Sequence, residues 1–139
     1  MAGKKISALA SDNRLRGRQF LSENAKKDGI TTLPSGLQYR VIQPGAGRHP
    51  AKTDRVTVRY RGTLLDGSEF DSSSRRNKPA SFRVDRVIRG WTEALQLMKV
   101  GAHWQLFVPP HLGYGERTTG TGIPLNSTLV FDLELLAIE

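Results

Sequence analysis

The most constraining feature of this chain is an alternation of apolar and polar residues that begins at Leu37 and recurs along the rest of the sequence. Because successive side chains of a strand point to opposite faces, each alternating stretch predicts a half-buried antiparallel strand. Turn-forming clusters such as Asp66-Gly67-Ser68 separate the stretches and are typical of hairpin connections. The apolar members are Leu37, Tyr39 and Val41; Val56, Val58 and Tyr60; Phe82 and Val84; Trp104, Leu106 and Val108; and Leu129, Phe131, Leu133 and Leu135.

One short helix interrupts this pattern. Trp91, Leu95 and Met98 recur at i, i+4 and i+7, directly after Val87-Ile88-Arg89-Gly90 and before Gly101. This spacing predicts one apolar face of a helix that a glycine can stop. A tryptophan that only fills the core would satisfy the same periodicity. A sheet that packs one face on one helix is the simplest arrangement, so the predicted fold class is α+β.

Residues 1–30 form a separate segment, a basic helical arm, and residues 31–139 form the domain proper. Ser11-Asp12 is the predicted helix start and Gly29 its stop, because such residues cap helices. A linker containing Pro34, Ser35 and Gly36 is expected to follow.

The apolar stripe of the arm is thin. Ile6, Leu9 and Phe20 belong to it, and Asn13 and Gly17 interrupt it. Tight homodimers bury far more apolar area than such a stripe offers. The chain is therefore predicted to be mainly monomeric, with a dimer through the arm as the alternative.

The formal net charge of +8 raises nucleic acid as a partner. The basic residues are spread along the sequence with acids among them, and no stacking series of aromatics accompanies them. A solvated basic surface is favoured, and no nucleic-acid partner is expected.

The chain has no cysteine, which excludes disulfides and thiolate chemistry and leaves the compartment open. No apolar run approaches the roughly 20 residues of a membrane span, and the first ten residues lack the core of a secretion signal. The sequence as it stands is expected to be cytoplasmic, or periplasmic or surface-associated if a signal has been removed.

Hydrolytic and metal chemistry find no support in the sequence. His49, His103 and His111 are isolated from one another and from acid clusters, whereas a zinc site needs three or more clustered ligands. The glycine pairs around Tyr114 lack the lysine and the strand-to-helix context of a phosphate loop. We therefore expect no metal and no cofactor.

Large aromatic residues stand near turns rather than within the predicted strands. Phe70 precedes Asp71, Trp91 stands at a helix start, and Tyr114 lies between two glycines. Such residues line a shallow ligand pocket in one interpretation and anchor their loops to the core in the other.

Five ordered motifs carry a family resemblance. They are Val58-Arg59-Tyr60-Arg61-Gly62, Gly67-Ser68-Glu69-Phe70-Asp71-Ser72-Ser73, Val87-Ile88-Arg89-Gly90-Trp91, Leu112-Gly113-Tyr114-Gly115 and Leu129-Val130-Phe131-Asp132. In order and spacing the sequence resembles the FKBP-type peptidyl-prolyl cis-trans isomerases, and residues 32–39 and 91–98 resemble their bacterial Mip-like branch. The resemblance implies a twisted antiparallel sheet curled around one short helix.

The resemblance also implies a proline pocket. Trp91 is its expected floor, and the Ile88 amide is expected to bind a substrate carbonyl. Asp71 and Tyr114 are the expected catalytic residues, with Asp71 facing the reacting amide and oriented by Arg76. The substrate-binding residues are expected to be Tyr60, Phe70, Arg76, Val87, Ile88, Trp91, Ile123 and Phe131.

The sequence departs from many eukaryotic members at the pocket edge. Ala80 stands where many eukaryotic members have a phenylalanine that forms a pocket wall, and the Mip-like branch also has alanine there. The loop 116–122 has no clear counterpart in the eukaryotic members. These departures leave the specificity of the rim open.

The function implied is peptidyl-prolyl cis-trans isomerisation of peptides and folding proteins, without a covalent intermediate. The alternative is a folding chaperone or protein-binding module that uses the same pocket. Expected partners are proline-containing peptides, unfolded proteins and macrolide inhibitors of the rapamycin type.

Overall fold

The structure, a computed structural model, describes residues 2–116 and 123–139, apart from the side chains of residues 2–9, 75 and 76. The described residues form two α-helices and seven strands, which confirms the predicted α+β class. In chain order these elements are α1 (Ala2–Asn24), β1 (Ile30–Thr32), β2 (Gln38–Gln43), β3 (Arg55–Thr63), β4 (Glu69–Ser72), β5 (Ala80–Arg83), α2 (Arg89–Leu97), β6 (His103–Val108) and β7 (Leu129–Ile138).

The strands form one antiparallel sheet in the order β1-β2-β6-β7-β3-β4. The long strand β3 pairs with β7 on one side and shares its other side between two short strands. Asp71 of β4 lies opposite Gly62, and Phe82 of β5 lies opposite Val56. Tyr60 stands between these two pairings on β3, so the topology brings β4 and β5 to either side of it.

Helix α2 packs on the inner face of the sheet. Trp91, Leu95 and Met98 are all buried in the apolar core, as their spacing predicts. The helix ends at Leu97, where the Met98 amide still donates to the carbonyl of Ala94 at 2.9 Å. Residues of β3, β6 and β7, including Val58, Leu106 and Leu133, complete the cluster.

Two short strands escape the sequence pattern. Strands β1 and β4 contain only three and four residues with one apolar side chain each, so no alternation is visible in them. Phe70 and Asp71 therefore lie within β4 rather than beside a turn. Pro34-Ser35-Gly36, predicted as a linker, forms the turn of the β1–β2 hairpin, in which the Leu33 amide donates to the carbonyl of Leu37 at 2.8 Å.

The predicted start of the arm helix is wrong. Helix α1 already includes Ala2, and Ser11 and Asp12 lie inside it. Asp12 forms an i,i+4 ion pair with Arg16 at 3.5 Å instead of capping a helix end. The helix ends at Asn24, and Gly29, with φ of +82°, occupies the turn before β1. Neither described helix is both long enough and apolar enough to cross a membrane.

Helix α1 packs on the face of the sheet opposite the core. The rings of Phe20 and Phe107 lie 5.9 Å apart between centroids. The Asn24 side-chain amide donates to Gln38 Oε1 at 2.9 Å, and the Gln38 amide donates to the carbonyl of Leu21, also at 2.9 Å. Asn24 and Gln38 are both buried, so these hydrogen bonds satisfy polar groups removed from water.

The two residues that interrupt the apolar stripe are contact points of α1. The Asn13 side-chain amide donates to the carbonyl of Leu125 at 2.9 Å. Gly17 approaches so closely that a Cβ there would lie 2.2 Å from Thr128 Oγ1. The arm is therefore attached through a small residue and amide hydrogen bonds as well as through the Phe20 ring.

This close approach predicts that Gly17→Ala destabilises the protein, even though alanine favours a helix interior by about 1 kcal/mol over glycine. Overpacking of this kind costs about 1–3 kcal/mol, measured as the free energy of unfolding in urea. Thr128→Ala removes the opposing oxygen, so the double variant should regain most of the loss. A double variant as unstable as Gly17→Ala alone would contradict the contact.

Candidate active site

A cavity of about 410 Å³ opens at the inner face of the sheet beside α2. Of the ten residues that the resemblance places at the pocket, eight line it, and Phe82 and Arg86 line it as well. The lining residues are Tyr60, Phe70, Asp71, Phe82, Arg86, Val87, Ile88, Trp91, Tyr114 and Phe131.

Trp91 forms the floor and is enclosed by three aromatic rings. The ring centroids of Tyr60, Phe82 and Phe131 lie 5.1, 5.7 and 5.3 Å from that of Trp91, at interplanar angles of 79°, 87° and 80°. Phe70 in turn meets Phe131 at 5.6 Å and 87°. Edge-to-face packing is a favoured geometry for aromatic pairs, so the floor is held rigidly from several sides.

Two glycines make this packing possible. A Cβ on Gly90 would lie 2.9 Å from Val108 Cγ1, so glycine lets the first turn of α2 approach β6. A Cβ on Gly62 would lie 2.6 Å from Phe70 Cζ and 2.8 Å from a ring carbon of Phe131. Gly62 thereby leaves the space on β3 that these two rings occupy.

Asp71 is attached to the aromatic wall by a hydrogen bond. The Tyr60 hydroxyl donates to Asp71 Oδ2 at 2.7 Å, and the Tyr60 ring is buried. Hydrogen bonds to a charged acceptor are stronger than those between neutral groups. The partner expected from the resemblance, Arg76, has its side chain outside the described residues.

The turn between β3 and β4 fixes the position of Asp71 along the sheet. Ser68 donates to Asp66 Oδ1 twice, from its hydroxyl at 2.6 Å and from its amide at 2.9 Å. The hydroxyl bond first and the amide bond second lower the pKa of Asp66 below its ordinary value. Gly67, with φ of +88°, adopts the left-handed conformation that the turn requires.

Val87 and Ile88 form the side of the pocket next to α2. The carbonyl of Ile88 accepts from the amides of Trp91 and Thr92 at 3.0 and 3.1 Å. The amide of Ile88 has no acceptor among the residues that the structure describes. Tyr114 lines the opposite stretch of the pocket, on a loop whose Gly115 carbonyl accepts from the Asn126 amide at 2.7 Å.

Sequence reasoning missed Phe82 as a pocket residue. Its ring packs on Trp91, and the ring centroids of Phe82 and Tyr60 lie 6.1 Å apart. The alternation of β5 held the signal, because Ala80 and Phe82 lie two residues apart and therefore share a face. Ala80 itself is buried and does not line the cavity, so Phe82 forms the wall on this side.

Arg86 was not predicted as a pocket residue, because the only sequence feature that indicates it is its position next to Val87. Ile123 lies in the buried core and is not among the lining residues. Its role in substrate binding stays a prediction, as does that of Arg76.

Comparison with known proteins decides the family. A family model described as FKBP-type peptidyl-prolyl cis-trans isomerase matches residues 46–136, and one described as the domain amino terminal to it matches residues 1–41. The chain belongs to the FKBP-type peptidyl-prolyl cis-trans isomerase family. The resemblance inferred from the five motifs is thereby confirmed.

The relatives include bacterial Mip and FkpA proteins. The chain is 52% identical to the outer membrane protein MIP of Legionella longbeachae and 53% identical to an FKBP-type 22 kDa peptidyl-prolyl cis-trans isomerase of Escherichia coli. Both matches cover 97% of this chain, and they cover 58% and 64% of those proteins. The crystal structure of FkpA from Escherichia coli matches with a TM-score of 0.95 at 46% identity, over 99% of this chain and 64% of that one. The chain thus spans about three-fifths of the length of these relatives.

The aromatic enclosure predicts that Phe82→Ala weakens binding of a pocket-filling macrolide of the rapamycin type by about tenfold, the equivalent of about 1.4 kcal/mol. Tryptophan fluorescence can follow the titration. Phe20→Ala is the matched control, because its ring packs on Phe107 outside the pocket. Both variants should lose stability, but Phe20→Ala should keep its affinity. Equal affinities in the two variants would remove Phe82 from the binding surface.

Proposed function

We propose that this chain accelerates cis-trans rotation about X-Pro bonds in peptides and folding proteins, without a covalent intermediate. The observation that carries the proposal is the rigid Trp91 floor, enclosed by three perpendicular rings and flanked by the hydrogen-bonded pair of Tyr60 and Asp71. Membership of the isomerase family supports it.

The physical task is a rotation. Amide resonance sets a barrier of roughly 18–20 kcal/mol, and uncatalysed X-Pro exchange takes about 10–100 s. No bond has to break, so no nucleophile is needed. An apolar cavity that excludes water favours the twisted amide, which is less polar than the planar one. The apolar walls of the pocket suit this task.

We assign three polar groups to guide the rotation. The amide of Ile88, which has no acceptor among the described residues, is suited to bind a substrate carbonyl. Tyr114 also lines the pocket, and we assign its hydroxyl to a second substrate carbonyl. Asp71 presents a negative charge beside the apolar walls, and we assign it to the surroundings of the amide carbonyl, whose carbon becomes more electron-poor as the resonance is lost.

A peptide isomerisation assay tests the proposal directly. Short peptides with an apolar residue before proline should exchange faster as protein is added, equally with and without a chelator, and a rapamycin-type macrolide should abolish the effect. A rate unchanged by excess protein would reject the proposal.

Substitutions of Asp71 separate its charge from its hydrogen bond. Asp71→Leu should slow turnover by about tenfold, equivalent to about 1.4 kcal/mol in the barrier. It should also cost about 1–3 kcal/mol of stability, because the Tyr60 hydroxyl loses an acceptor. Asp71→Asn keeps an oxygen acceptor and should retain stability while losing most of the activity. Full activity in Asp71→Asn would exclude a role for the charge.

A binding module without turnover is the second candidate. A cleft of about 790 Å³ lies between α1 and the domain, with Leu21, Pro109 and Pro110 among its lining residues. Such a cleft suits an extended segment of an unfolded protein. Suppression of aggregation of an unfolded protein by a chain that leaves proline peptides unaffected would favour this function over isomerisation.

We also propose that the chain is mainly monomeric, since α1 places its Phe20 ring on its own sheet. Sedimentation at micromolar concentrations should give one species of 15.4 kDa, and a stable dimer would contradict this.

The compartment is either the cytoplasm or the cell envelope. One relative is named an outer membrane protein, and fractionation of the producing cells decides between the two.

A further inference from the structure

Two depressions of the surface meet at Val87. One is the proline pocket, and the other is a groove of about 510 Å³ along the outer side of α2. Val87 lines both, so a substrate segment that leaves the pocket across Val87 enters the groove. The charged lining residues are Asp71 and Arg86 in the pocket, and Lys52, Asp85, Arg89 and Glu93 in the groove.

The carboxylates of this region already have fixed partners. Each is partly buried: Asp71 and Glu93 each accept a hydrogen bond from a neutral hydroxyl, and Asp85 forms an ion pair with Arg83. The contacts run from Tyr60 to Asp71 (2.7 Å), from Arg83 to Asp85 (2.7 Å) and from Ser35 to Glu93 (2.5 Å).

The cations of this region, in contrast, are exposed. The Arg86 side chain is 77% exposed, and its contact with Asp85 measures 4.0 Å, whereas Arg83 holds the same carboxylate oxygen at 2.7 Å. Arg89 and Lys52 are exposed, and within the described part of the chain neither has an ion-pair partner. At this rim the three cations are exposed and the three carboxylates are only partly exposed, so a segment that crosses Val87 meets more exposed positive than exposed negative charge.

We propose that this rim selects proline segments that have a carboxylate a few residues from the proline, on the side of the segment that crosses Val87. The residue directly before proline stays apolar, because it faces the aromatic walls. The proposal rests on the proposed function and names its substrate class. The net charge of +8 acts in the same direction at longer range and raises the rate of encounter with acidic segments.

The test uses two matched pairs of peptides, each with an apolar residue before proline. One pair has Glu or Gln at the second position before proline, and the other has Glu or Gln at the second position after it. At low ionic strength kcat/KM for the Glu peptide should exceed that for the Gln peptide about threefold in one pair, an effect typical of an exposed ion pair. Half-molar salt should remove the preference, because it shortens the Debye length to a few ångströms.

Charge reversal at two sites separates the rim from the net charge. Arg86→Glu and Lys26→Glu each lower the formal charge by two, from +8 to +6. Lys26 is exposed on the segment after α1 and lines none of the described cavities. The Glu-over-Gln preference should vanish or invert in Arg86→Glu and persist in Lys26→Glu.

The outcomes distinguish this proposal from the proposed function. Turnover of the Gln peptides with no Glu preference in either pair would overturn rim selection and leave isomerisation standing. Equal loss of the preference in both variants would also overturn it, because net charge alone would then explain the effect. Absence of turnover with all four peptides would reject the proposed function itself.

Discussion

The packing of Trp91 against three perpendicular rings is the interaction on which the rest of the structure depends. It joins α2, which contributes Trp91, to β3, β5 and β7, which contribute Tyr60, Phe82 and Phe131. The same rings are at once the outermost layer of the core and the inner surface of the pocket. A ligand therefore meets a surface whose shape is fixed by folding, which limits the ordering cost of binding.

Strand β3 makes this enclosure possible because it serves three neighbours. It pairs with β7 along most of its length, with β5 at its first residues and with β4 at its last. Gly62 sits where β4 and β7 bring Phe70 and Phe131 over the strand, and no side chain fits beneath them. A single strand thus sets the spacing of an aromatic wall and a carboxylate.

The sequence predicted those parts of the fold that depend on local periodicity. Trp91 and Leu95 lie on the buried face of α2, and Met98 is buried directly after its end, because a period of 3.6 residues is visible within eight positions. Eight pocket residues followed from motifs shared with the family. The alternation of β5 puts Phe82 on the face of Ala80, but its position at the pocket depends on the pairing of β5 with β3, a long-range contact that the sequence alone does not reveal. The strands β1 and β4 were not predicted because three and four residues are too few to show a clear alternation.

The arm shows a different limit of sequence reasoning. Asn13 and Gly17 look like defects in an apolar stripe, yet they are contacts to Leu125 and Thr128. An apolar stripe predicts that a helix packs through apolar side chains. The close approach at Gly17 and the hydrogen bond from Asn13 to a backbone carbonyl produce no periodic pattern in the sequence.

These contacts also place the arm closer to the pocket than the motifs suggest. Asn126 donates from its side chain to the carbonyl of Ala10 and from its backbone to the carbonyl of Gly115, next to Tyr114. Arg14 reaches Glu116 at 3.0 Å from the same face of α1. Since Tyr114 lines the aromatic cavity, the loop that contains it is held on its other side by α1. The arm and the pocket wall are therefore neighbours across one loop.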